Sequence, residues 1–131
     1  MSSRGRPAGR APGRPPEGFG RIAYLLAMAI AAVSLSPLGV GISVSKYVAV
    51  AVSVLEAQDR VRWQLDSMFT TLEGEPEDLF EVIRAMQEAI FAAGAERVGT
   101  VVKMDERRDR PNVTMADKVA SVRGQLDPAK S

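Results

Sequence analysis

Residues 29–55, AIAAVSLSPLGVGISVSKYVAVAVSVL, set the terms for the rest of the chain. An apolar run stops at Ser36-Pro37-Leu38-Gly39, where proline cannot continue a strand ladder and glycine admits a turn. Beyond it, Val44, Tyr47, Val48, Ala51, Val52 and Leu55 recur at helical spacing, one apolar stripe of a helix capped by Ser43 or Ser45. The loop, residues 36–45, puts small polar groups at a helix N-terminus. Unpaired backbone N–H groups and the positive end of the helix dipole favour a ligand there.

The downstream segments read as partners for this strand–loop–helix unit. Residues 61–65 alternate, with Val61, Trp63 and Leu65 facing one way and Arg62, Gln64 and Asp66 the other. Residues 67–69 make a tight reversal, and 70–73 return as a strand. Gly74-Glu75-Pro76 opens a second helix, with proline at a favoured first position and Glu77, Asp78 and Glu81 complementing the dipole. Leu79, Val82, Ile83, Met86, Ile90 and Ala93 form its stripe, and Gly94 is its C-terminal stop. Phe80 and Phe91 lie off the stripe, either partly exposed or available for a subunit contact. Residues 97–104 are the last strand, with Val98, Thr100, Val102 and Met104 on one face. A charged run, residues 105–110, leads to a capping box of Thr114 and Asp117, then a short helix with a thin seam of Met115, Val119, Val122 and Leu126.

The order is therefore β-α-β-β-α-β plus a terminal helix. With an antiparallel central hairpin and right-handed crossovers, this is an α+β fold, the ferredoxin-like sandwich. Its helices cover one sheet face, and the open face is expected to meet another subunit.

Upstream, residues 1–27 hold five arginines against Glu17, while the remainder carries 12 basic and 15 acidic side chains. The first stretch is rich in Arg, Pro and Gly and reads as a disordered tail; a basic arm for nucleic acid or anionic lipid, or an early start codon, are the other readings. The domain is expected over residues 28–126, with 127–131 a disordered end. Residues 22–33 imitate the apolar core of a signal peptide, and Ala27-Met28-Ala29 imitates a cleavage site, yet cleavage would remove the strand that the pattern requires. The run is short of the roughly 20 apolar residues of a membrane helix. The chain has no cysteine and no histidine, which removes disulfides, thiol nucleophiles, His-based acid–base work and nearly all soft-metal sites. No nucleophile–base pair and no standard phosphate loop is visible, so the expectation is a non-enzymatic, cytoplasmic protein without metal or cofactor, and without nucleic-acid or membrane partners.

Four pieces and a closing one make the chain resemble a known family. They are Ser36-Pro37-Leu38-Gly39; Ser43-Val44-Ser45-Lys46-Tyr47-Val48; Thr70-Thr71-Leu72-Glu73-Gly74; Gly94-Ala95-Glu96-Arg97-Val98 running into Lys103-Met104-Asp105-Glu106-Arg107-Arg108-Asp109; and Lys118-Val119-Ala120-Ser121-Val122. In order and spacing they resemble the thiamine-binding, MTH1187/YkoF-like family of small ferredoxin-like proteins (uncharacterised protein family UPF0045). The resemblance implies homodimers or homotetramers that bind thiamine or its hydroxymethylpyrimidine moiety. Two departures stand out: Met68-Phe69-Thr70 replaces the usual Met-Gly-Thr, so that a phenylalanine fills part of the pocket or changes the turn, and Glu106 replaces the second acid of Asp-Asp-Arg-Arg-Asp.

An aminopyrimidine needs a planar slot, a carboxylate or hydroxyl near its ring nitrogen and amino group, and apolar walls. The candidates are Glu73 as acceptor, Thr70 and Ser45 as hydroxyls, and Ser34 or Ser36 at the mouth of the first strand. The plainer roles are helix capping for Ser43 and Ser45, a strand position for Thr70 and a solvated strand end for Glu73. Arg107, Arg108 and Asp109 read as an ion-pair network in a tetramer interface, with phosphate binding as the sharper alternative.

Overall fold

A computed structural model describes residues 28–127; the expectations for the two termini lie outside these residues. Four strands, β1 (Ala29–Leu38), β2 (Arg62–Leu65), β3 (Thr70–Gly74) and β4 (Arg97–Glu106), form one sheet in the order β2-β3-β1-β4 with every neighbouring pair antiparallel. Three helices, α1 (Ser45–Glu56), α2 (Pro76–Ala92) and α3 (Met115–Leu126), complete it. This is the expected α+β, ferredoxin-like arrangement.

Register assigns each residue to a face. Trp63, Leu72, Ala31 and Met104 align across the four strands, as do Leu65, Thr70, Val33 and Val102; these rows face α1 and α2. Ala51 and Leu55 of α1, and Leu79, Val82, Ile83, Met86 and Ile90 of α2, close the core over them. The small side chains of Ala29 and Ala31 leave room for the larger aliphatics of the helices, so a core with few aromatics still packs.

The local signals mostly act as their chemistry predicts. At the end of α2, Gly94 takes φ 116°, its N–H donates to Phe91 and that of Ala95 to Ile90, closing the helix in a Schellman motif. Gln58 ties the α1–β2 turn by donating to the carbonyls of Leu55 and Val61 and accepting the Val61 N–H. The Thr114–Asp117 capping box is formed.

Three expectations are corrected. The first strand ends within Ser36-Pro37-Leu38-Gly39, at Leu38, but Pro37 does not break the ladder: it lies inside the strand opposite Val98. The pairing of β1 with β3 stops at Val33, so residues 34–38 have β4 as their one neighbour, and an edge strand tolerates proline. Neither Ser43 nor Ser45 caps α1: the N-cap is Val44, without a side-chain hydrogen bond, and the two serine hydroxyls lie 3.4 Å from each other. The α1 stripe is buried only in its second half, at Ala51, Val52 and Leu55; Val44 is exposed.

Candidate functional site

Because side chains alternate along a strand, the same register that builds the core assembles the opposite face. There Arg62, Glu73, Ile30 and Asp105 form one row, and Gln64, Thr71, Ala32 and Lys103 the next. Ser34 lies opposite Val101, and Ser36 opposite Gly99. Glu73, Ser34 and Ser36 thus share a face, while Thr70 does not: it points into the helix-covered side and is buried. Ser45 starts α1, on the helix side of the sheet.

Spacing separates them further. Ser34 and Ser36 lie four and six residues along β1 from Ile30, the partner of Glu73, or about 13 and 20 Å at strand rise. One aminopyrimidine ring held by Glu73 does not reach Ser36. Thr71, two residues from Glu73 on the same face, is the nearer hydroxyl. Thr70 and Thr71 look alike in sequence, and the alternation of Thr-Thr-Leu-Glu-Gly, with Leu72 in the core, is the signal that puts Thr71 on the face of Glu73.

Glu73 is not the solvated strand end that a surface carboxylate would be. It is 5% exposed, and its Oε2 accepts the Met115 N–H at 2.8 Å. Arg62 Nη1 lies 3.7 Å from its Oε1, but the Arg62 side chain is 79% exposed, so this pair is loosely held. The first backbone donor of α3 therefore ends on a sheet carboxylate, which brings α3 against the open face. A second link joins Lys118 to Asp105, in the same row as Glu73.

Electrostatics concentrate at this end of the molecule. The Lys118 ammonium holds the Asp105 carboxyl below its ordinary 3.8, with Arg107 and Lys103 adding to the effect. Hydrogen bonds from Thr114 lower Asp117, and the Arg107 guanidinium brings Asp109 to about 2 while Asp109 raises Arg107. Arg108 pairs with Glu106 at 2.8 Å. A carboxyl whose folded value is depressed stabilises the fold above its unfolded value, and that contribution is lost as pH falls through the folded one. The Lys118–Asp105 link and the Asp117 cap should therefore weaken on acidification below about pH 4 while the apolar core holds. Amide resonances of residues 115–126 followed from neutral pH to about pH 2.5 should collapse ahead of those of Ala31 and Leu72; simultaneous loss would contradict it.

A separate groove of about 640 Å³ runs along α1 beside β2, lined by Ser43, Val44, Ser45, Val48, Ala49, Val52, Glu56 and Leu65. It includes Ser45 but none of the other candidates, and it lacks a buried polar group that would orient a ligand. The loop between β2 and β3 is closed by the Asp66 N–H donating to the Phe69 carbonyl at 3.1 Å. No non-glycine residue among those described has a left-handed backbone, so Phe69 fits this turn without needing glycine there. Among the described residues no group of acidic side chains is arranged to hold a metal ion, and no helix is long and apolar enough to cross a membrane.

The profile of a family described as thiamine-binding protein matches residues 31–123. The UPF0045 protein YqgV of Bacillus subtilis is 44% identical over 105 residues, covering 77% of this chain and all of that protein. The crystal structure of a hypothetical protein, MJ1052 of Methanocaldococcus jannaschii, superimposes with a TM-score of 0.66 at 33% identity, covering 72% of this chain and 95% of that one. A domain of unknown function from Bacillus cereus gives a TM-score of 0.64 at 34% identity, covering 76% and 93%.

Proposed function

The chain belongs to the thiamine-binding protein family, and from that premise we propose that it is a non-enzymatic, cytoplasmic protein that binds thiamine or its hydroxymethylpyrimidine moiety. The observation that carries this reading is Glu73: one buried carboxylate on a sheet face whose neighbouring positions, Ile30, Ala32 and Thr71, are apolar or small. A carboxylate there accepts the exocyclic amine of an aminopyrimidine, and its charge favours a thiazolium cation nearby. Thr71 supplies a hydroxyl two residues away, and Ser34 lies further along the same face. Ser36, Thr70 and Ser45 are too far away or on the other side to share this ligand.

The protein would work as a homodimer or homotetramer. Val101, on the face of the sheet turned away from the core, is 58% exposed and available to a second copy of the chain. Arg107 and Asp109, paired within the chain at the rim of this surface, are suited to exchange partners across such a contact. The same exposed surface favours a second reading, a protein-interaction module without a small ligand.

Calorimetric titration of the full chain with thiamine and with hydroxymethylpyrimidine separates the two. Saturable heat with either is expected, together with a rise in melting temperature equivalent to about 2.7 kcal/mol when free ligand is 100-fold above Kd. No heat and no shift from a folded protein would leave the interaction module.

A further inference from the structure

The C-terminal helix is held in an unusual way. None of the residues of α3 is buried, and its apolar seam at Val119, Val122 and Leu126 faces water. What fixes it to the sheet is polar: the Met115 N–H on Glu73 and the Lys118 ammonium on Asp105. Hydrophobic burial, the main source of helix docking strength, is nearly absent, so the free energy that keeps α3 down is small compared with that of α1 or α2. Yet this weakly held helix ends on the one buried carboxylate of the open face. The Met115 N–H already occupies Glu73 Oε2 at 2.8 Å and Glu73 is 5% exposed, so an incoming amine donor finds that oxygen engaged and covered.

We propose that α3 is a displaceable cover over Glu73, and that the Met115 N–H and a ligand's amino group compete for the same carboxylate oxygen. The first half, that α3 opens and exposes Glu73, stands on the contacts alone; the second rests on the ligand reading given above. Competition has a thermodynamic signature. Ligand entry and release of the α3 N-terminus are one event, so whatever loosens α3 strengthens binding by the factor by which binding loosens α3. A helix that formed a wall of the pocket would have the opposite sign.

Lys118→Ala tests this in the full chain, because Lys118 is 43% exposed at its side chain, lies outside the core and touches Asp105 rather than Glu73. Carbodiimide coupling of glycine ethyl ester reads the accessibility of carboxylates, and Asp78, 3% exposed at the start of α2 and paired with Arg60, is the internal control. The substitution should raise labelling of Glu73 several-fold, on the order of tenfold, and speed amide exchange across residues 115–126, with Asp78 unchanged. It should also tighten thiamine binding about three- to tenfold. Labelling of Glu73 that stays at the wild-type rate while α3 exchanges freely would overturn the cover. Opening of α3 accompanied by weaker or unchanged thiamine binding would overturn the competition and leave the binding function standing. Absence of any thiamine or hydroxymethylpyrimidine heat in both proteins would remove the ligand reading and with it the competition, while the labelling still decides the cover.

Discussion

Glu73→Gln should weaken thiamine binding by about 10- to 100-fold while leaving the melting temperature of the unliganded protein nearly unchanged. The two halves of this expectation have different origins. A hydrogen bond to a charged acceptor contributes about 1.5–3 kcal/mol, against about 1 for a neutral one, and a glutamine carbonyl also gives up the attraction for a cationic ligand. Within the protein, however, the glutamine carbonyl still accepts the Met115 N–H, and the Arg62 contact that is lost is largely solvated. Isothermal calorimetry paired with thermal unfolding measures both. Binding indifferent to the substitution would keep the family function and move the site, with the α1 groove as the next place to look. A collapse of stability without a change in affinity would make Glu73 a structural anchor for α3 and nothing more.

The largest effect on folding is expected at Leu72. It is fully buried in the middle of β3, aligned with Ala31 and Trp63 across the sheet and under the helices. Leu72→Ala removes three buried carbons from a site that rigid strands on both sides prevent from collapsing, so a loss of about 3–5 kcal/mol is expected, toward the upper end of such substitutions. Against a total of roughly 5–15 kcal/mol for a domain of this kind, this leaves a marginal fold. Denaturant unfolding should show a lower midpoint with an unchanged slope; a loss below about 1 kcal/mol would mean that the helices settle into the space.

Much of the architecture was legible in the sequence, for identifiable reasons. The two helical stripes, the alternation at Val61–Trp63–Leu65, the Pro76 start, the Gly94 stop and the Thr114–Asp117 box each act through neighbours a few residues away, and local chemistry decided them. The α1 cap was misjudged because two serines near a helix start resemble a cap whether or not either hydroxyl meets a backbone N–H. Pro37 misled for a different reason. A proline ends a strand only where both edges are paired, and the length of β3, not anything near Pro37, decides that.

The candidate site was legible in its chemistry but not in its geometry. Glu73 stood out as an acid at a strand end, but the backbone donor that it meets, the Met115 N–H, lies far along the chain. Thr70 and Thr71 are adjacent and alike, and only the cross-strand register separates the one facing the core from the one facing out. Arg107, Arg108 and Asp109 were expected as an ion-pair network in a subunit interface; within the chain Arg107 pairs with Asp109 and Arg108 with Glu106.

The early end of β1–β3 pairing has a consequence of its own. Across residues 29–33 of β1 the sheet is four strands wide, or nearly so, and across 34–38 it narrows to two. The molecule is therefore a step rather than a slab. Its broad half holds Ala29, Ala31, Val33 and Leu72, where a change in one side chain is felt by neighbours on every side. Its narrow half has a strand neighbour on one side only, yet Pro37 is buried there and Leu35 and Val98 pack against the core. A change in the broad half is met by strands on both sides, whereas one in the narrow half is met by a single strand and the helices, so the two halves answer to different neighbours.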